Sequence, residues 1–198
     1  MYSAQKLPMD DQPISSRFFG ESKWLSEFIT PDNLEVTVLY NNLTDGMTTD
    51  REIAIACWEW VAHNVKYKPF IKGTLIIEGK RQTQFDLWCD PSLTICTRIG
   101  NCANKAFLLA SLLRRNFSEN RVYCVLGNLI NGSGSGGHAW VQLTLDGQEY
   151  IMETTRNDIP ALIEASSTNR YQCVHFFNDK EMYFVPGTTV MEPFARGL

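Results

Sequence analysis

Three residues suited to thiol chemistry follow one another along the chain: Cys102, His138 and Glu153. Cys102 opens the run "CANKAFLLASLLRR", whose apolar positions recur at helical spacing, and Asn101 before it is a strong N-cap residue with Gly100 giving a tight entry. A helix N-terminus favours the anionic form of a thiol, and the thiolate is the nucleophile. The same position also suits a small buried residue at a packed corner, and this stretch alone leaves both readings open.

His138 follows the Gly/Ser run "NGSGSGG" and opens "HAWVQLTL", which alternates as a strand does. Asp146-Gly147 is a two-residue hairpin signal leading into "QEYIMETT". That turn makes Leu145 and Gln148 the first facing pair. Counting outward, Trp140 faces Glu153 and His138 faces Thr155, so Glu153 is the diagonal neighbour of His138. A carboxylate there would orient the imidazole and hold its tautomer. The Gly/Ser run lacks the Lys-Ser/Thr of a phosphate loop and is no GxGxxG before a helix. It reads as a flexible hairpin loop or a mobile flap, with His138 at the very start of the second strand. Trp140 is expected to share the face of His138, shielding it from solvent or packing in the core.

The elements that must position these groups can be read in order. Residues 1–30 are polar, with Pro8 and Pro13, and predict an N-terminal arm docked through Trp24, Leu25 and Phe28. Residues 31–198 read as a single domain. "NLEVTVLYNNL" suits a strand or a short helix, and "TTDREIAIACWEWVAHNVKYKPF" predicts a helix capped at Thr49 or Asp50. Its stripe runs through Ile53, Ala56, Cys57, Trp60, Val61 and Asn64, and Pro69 stops it. Residues 73–100 read as mostly irregular, with a short strand at 75–77 and a turn or helix start at Asp90-Pro91-Ser92. The Cys102 helix is expected to run to about Asn116, with Ala103, Ala106, Phe107, Ala110 and Leu113 on one face. Strands follow at 121–127, 138–145 and 148–155, then a second hairpin of 171–177 and 181–185 around Asn178-Asp179. Helices first and antiparallel strands after make an α+β layout, with the Cys-bearing helix packed on the sheet.

In this order, "RIGNCANKAFLLASLLR", "VYCVLG" and "GHAWVQLTLDGQEYIMETT" resemble the transglutaminase-like superfamily. That family has a Gly-x-Cys opening an alanine- and leucine-rich helix, a His-Ala-Trp strand, and an acidic residue before a Thr on the next strand. The helix "IAIACWEWVAHNVKY" is similar to the family's helix ending in Ile/Val-x-Tyr. The resemblance covers about residues 35–156, with a C-terminal hairpin extension at about 160–198 outside it. It implies a papain-like thiol fold carrying a Cys-His-Asp triad, with Cys102 as nucleophile, His138 as general base and Glu153 at the position usually held by Asp. Asn101 stands where the family often has Asp, Gln or another polar residue.

The implied activity is cysteine-dependent chemistry on amide bonds through a thioester, either hydrolysis of protease, amidase or deamidase type or transglutaminase-type acyl transfer. The alternative is a catalytically inactive binding or scaffold module that keeps the fold, for which the Glu at 153 speaks. The oxyanion would be met by the backbone N–H of Cys102, with Gln84 and Trp88 as candidate side-chain donors and Tyr67 suggested by the resemblance.

Composition narrows the partners. With 44% hydrophobic and 20% charged residues in 198, the chain can bury a real core, and a net charge of -4 without a basic run argues against nucleic acid and anionic membranes. Neither a signal pattern nor a stretch of transmembrane length is visible, so a cytoplasmic location is expected. The six cysteines (57, 89, 96, 102, 124 and 173) form no CxxC pair and read as reduced thiols. Cys89, Cys96 and Cys102 lack the paired spacing of a zinc site, as do His63 and His175. Neither metal nor cofactor is implied, and the expected partner is a protein or peptide substrate.

Overall fold

The computed structural model describes residues 4–9, 14–18, 21–71, 73–77, 80–84, 86–132 and 134–191. The first half is β1 (Gln5–Leu7), the hairpin of β2 (Ile14–Phe18) and β3 (Glu21–Trp24), a 3-10 turn at Leu25–Phe28, and helices α1 (Leu34–Thr44) and α2 (Asp50–Asn64). Then come β4 (Lys66–Tyr67), the hairpin of β5 (Gly73–Ile77) and β6 (Lys80–Gln84), α3 (Pro91–Thr97), β7 (Ile99–Gly100) and α4 (Cys102–Leu113). The second half is β8 (Val122–Asn131), β9 (Gly134–Leu145), β10 (Gln148–Met152), β11 (Ile163–Glu164), β12 (Tyr171–Phe177) and β13 (Met182–Phe184).

Seven of the strands form an antiparallel sheet in the order β1-β13-β12-β8-β9-β10-β11. Helix α4 packs on β8 and β9 and is covered from the other side by α1, α2 and α3. All twelve of its residues are buried, so the one-sided pattern expected for this helix is replaced by burial all round. The fold is α+β, with the Cys-bearing helix at its centre.

Local chemistry explains the elements. Thr49 caps α2 with its hydroxyl on the Glu52 N–H, while the Glu52 carboxylate reaches back to the Thr49 N–H at 3.1 Å, a reciprocal box worth about 1 kcal/mol. "NLEVTVLYNNL" resolves as helix because Asn33 caps it, its side chain accepting from the N–H groups of Glu35 and Val36. The buried stripe of α2 is Ile53, Ala54, Cys57, Trp58, Val61 and Ala62 instead of the expected path through Ala56, Trp60 and Asn64. The helix is rolled so that the indole of Trp58 makes a buried hydrogen bond, while Trp60 stays near the surface under the Arg98 guanidinium at 4.2 Å.

Three further differences bear on the site. Residues 1–30, expected as a polar arm, supply the edge strand β1 through its pairing with β13, and dock through Leu25 and Phe28. The C-terminal hairpin, outside the resemblance, is part of the sheet itself, since β12 lies between β8 and β13. Most of the Gly/Ser run, from Gly134 on, is itself strand: Asn131 pairs with Gly134 and Asn128 with Gly137, so His138 lies four residues into β9. Glycine costs strand stability through entropy, but a continuous ladder to β8 holds it extended here.

Candidate active site

The hairpin register is the one the Asp146-Gly147 turn demands. Both turn residues have positive φ (52° and 78°), Leu145 pairs with Gln148, and the ladder runs to Val141 with Met152. Glu153 follows immediately, and there β10 ends, three residues before the expected Thr155. Its own Oε1 accepts from the Thr155 N–H at 2.8 Å and the Thr155 hydroxyl at 2.7 Å, which takes the backbone out of the ladder. The other oxygen, Oε2, lies 2.6 Å from Nε2 of His138 and accepts from the Tyr171 hydroxyl at 3.3 Å. The extra methylene of Glu is accommodated by this local turn.

His138 is also hydrogen-bonded to Cys102. Since Nε2 is committed to Glu153, Nδ1 is the ring nitrogen left for the thiol. Cys102, His138 and Glu153 are 1%, 2% and 1% exposed, so the three form a buried chain of contacts. Burial opposes a charged imidazole, but the Glu153 charge and the hydrogen bonds to Cys102 and Glu153 outweigh it and raise the His138 pKa. The same partnership, with the Thr155 donors, overcomes burial at Glu153 and lowers its pKa. Each partner thus favours the charged form of the other, imidazolium beside carboxylate.

The surroundings hold this geometry. Trp140 stacks on His138 with ring centroids 6.2 Å apart and planes 24° from parallel, as its place two residues along the strand predicts. The Trp140 ring lies over Gly127, where a β-carbon would be 2.7 Å from its Cη2 and 2.1 Å from the Gln172 carbonyl oxygen. Only glycine lets the strands and the ring approach this closely. Trp58 Nε1–H donates to the Glu153 carbonyl at 2.6 Å, tying α2 to the end of β10.

At the helix start, the Asn101 side chain accepts from the Asn104 N–H at 2.9 Å as N-cap, and donates to Asp86 at 2.8 Å. Asn104 accepts from the Cys89 N–H at 2.9 Å. These two asparagines pin the segment 86–89 against the N-terminus of α4.

Of the candidate oxyanion donors, Tyr67 is half-buried, and its phenol pKa is raised by burial and by the fields of Cys102, Glu153 and Asp86, which places it among these groups and keeps it a donor. Trp88 is packed edge-on against Phe28 and Phe107 at 5.8 and 5.4 Å, in the core beside α4. Gln84 ends β6, and its side chain lies outside the described residues.

Thr155, Tyr171, Trp58 and Lys105 join the site without having been singled out from the sequence. All six cysteines are free. His63 stands edge-on to Trp58 at 6.3 Å, and His175 lies in β12 with its pKa lowered by burial. Among the described residues no helix is long and apolar enough to cross a membrane.

A helix-borne thiol bonded to a strand histidine, itself bonded to a carboxylate just past the end of the next strand, defines a papain-like class of thiol protein. The sequence profile of the transglutaminase-like superfamily matches residues 38–152, more than half of the chain, and the chain belongs to that superfamily. No curated protein matches it. Among solved structures it is similar to LapG of Legionella pneumophila, at 16% identity over 75% of this chain and 77% of that one, with a TM-score of 0.54. A calcium-bound structure of LapG matches at 15% identity over 81% and 93% of the two chains, with a TM-score of 0.43. A candidate cysteine protease from Cytophaga hutchinsonii matches at 20% identity over 77% of this chain and 50% of that one, with a TM-score of 0.44. At such identities the likeness is one of fold.

Proposed function

We propose that the protein is a cysteine-dependent enzyme acting on amide bonds. The observation that carries this reading is His138, buried and bridging Cys102 on one side and Glu153 on the other. Cys102, as thiolate beside the imidazolium, attacks the carbonyl carbon of a peptide or carboxamide. The carbonyl π electrons move to oxygen, and the oxyanion is met by the backbone N–H of Cys102 at the helix start and by the Tyr67 phenol. His138 gives its proton to the departing amine as the C–N bond breaks, leaving a thioester on Cys102. Neutral His138 then takes a proton from water or from a primary amine as it attacks the thioester, and the thiolate is released. Glu153 keeps the imidazole oriented and stabilises its charged form through both half-reactions.

Peptide and glutamine substrates offered with a labelled amine test this, with ammonia release, peptide cleavage and amine incorporation followed together. Turnover by the native chain and none by a folded Cys102→Ala chain is the expected result. One observation favours the second reading, an inactive binding module: Cys102 is 1% exposed, which leaves little of it open to substrate. Unchanged partner binding by Cys102→Ala, with no turnover by the native chain on any amide, is the outcome that reading requires.

A further inference from the structure

Lys105 is 1% exposed and lies one helical turn after Cys102 on α4. Its Nζ donates to the carbonyl of Val65 at 2.7 Å and to that of Ala62 at 3.3 Å. Those carbonyls belong to the C-terminal end of α2, where helical donors run out and the dipole is negative, so an ammonium there meets both needs. The lysine stem passes beneath Gly100, where a β-carbon would lie 3.2 Å from Lys105 Cγ and 3.3 Å from Val65 Cγ1. Tyr67 follows Val65 by two residues in β4, which pairs in parallel with β7, the strand leading into Cys102.

We propose that Lys105 is a positioning residue of this site, clamping the end of α2 to the nucleophile helix and so setting Tyr67 against Cys102. Its consequence for reactivity rests on the thiol-enzyme reading; the clamp rests on geometry alone. A buried ammonium meeting two carbonyls also brings a charge close to the site. Burial lowers its pKa to about 8, against the opposing field of Glu153 beyond the end of β10. The clamp is therefore charged at neutral pH and loses that charge in mildly alkaline solution.

Alkylation of Cys102 by iodoacetamide across pH in the full chain, native and Lys105→Met, tests this. The native profile is expected to carry an inflection near the lysine's midpoint of about 8. A Met variant with native circular dichroism is expected to lose that inflection and to react roughly tenfold or more slowly at neutral pH, as displaced reacting groups do. A folded variant with the native rate and profile overturns the proposal. If the variant does not fold, resonances of the native chain decide: Lys105 Cε and the Tyr67 ring titrating with one midpoint supports the clamp, and a Tyr67 ring blind to the lysine titration overturns it. Slow alkylation of Cys102 in the native chain rejects the thiol-enzyme reading instead, and the resonances then judge Lys105 alone.

Discussion

Replacing Glu153 with Gln keeps the shape of the side chain and removes one charge and one acceptor. The carboxylate accepts from Thr155 N–H and hydroxyl at 2.8 and 2.7 Å on one oxygen, and meets His138 at 2.6 Å and the Tyr171 hydroxyl at 3.3 Å on the other. A glutamine has a single oxygen. If that oxygen stays with Thr155, the amide N–H faces Nε2 of His138 and forces the ring proton onto Nδ1, the nitrogen facing Cys102 that must take the proton of the attacking water or amine. If it turns to His138, the amide meets the two Thr155 donors, and buried bonds are lost there. Loss of a triad carboxylate's charge costs up to ~10⁴-fold in kcat, about 5 kcal/mol of transition-state stabilisation, so a fall of roughly 10²- to 10⁴-fold in kcat/KM is expected.

The pH dependence carries a second signature. Burial works against the imidazolium, and Glu153 outweighs it, so the variant should lose activity in alkali at a lower pH than the native protein. In stability, His138 has a raised folded pKa and contributes fully below its ordinary 6.5, losing that as pH rises through the raised value. Glu153 has a lowered folded pKa and contributes above its ordinary 4.5, losing that as pH falls through the lowered value. The difference in Tm between the two proteins should therefore be widest between 4.5 and 6.5. A variant whose alkaline limb stays in place, with a Tm difference flat in pH, refutes the ion-pair argument.

Gly127→Ala drives a β-carbon to 2.1 Å from the Gln172 carbonyl oxygen, so strands β8 and β12 must part; a loss of about 1–3 kcal/mol in urea unfolding is expected, with Trp140 fluorescence altered. Trp58→Phe leaves the buried Glu153 carbonyl without its 2.6 Å donor, which should cost about 1–3 kcal/mol in the same assay and lower kcat more than it raises KM. Asn101→Ala removes the N-cap of α4 and the bond to Asp86, an expected loss of about 1 kcal/mol or more, with faster hydrogen exchange at Cys89 and Asn104 as the readout.

Much of the site was legible because its register is counted from a turn. Asp146-Gly147 fixes the ladder as far as Val141 and Met152, and Glu153 follows directly on it, within reach of His138. The helix behind Cys102 was legible from its cap and apolar spacing, whereas its complete burial depends on which elements cover it, and periodicity does not encode that. The roll of α2 is of the same kind: Ile53, Cys57 and Val61 lie on either stripe, and packing against α4 selects Trp58 over Trp60. The run Gly134–Gly137 has the composition of a loop, and only pairing with β8 makes it strand. Tyr171 and Lys105 were beyond reach because each meets the site through a contact between segments distant in sequence.

Competition between two cysteines tests the central claim most directly. Cys96 is exposed, while Cys102 is 1% exposed. Burial raises the pKa values of Cys57, Cys89 and Cys173 to about 12, 11 and 12, and that of Cys124 well above the ordinary value. Accessibility alone therefore orders iodoacetamide labelling with Cys96 first. Limited labelling at pH 6, mapped by peptide, should instead find Cys102 modified ahead of Cys96, with the other four untouched. Cys96 labelled first, and Cys102 as slow as the buried four, contradicts an activated thiol at this site.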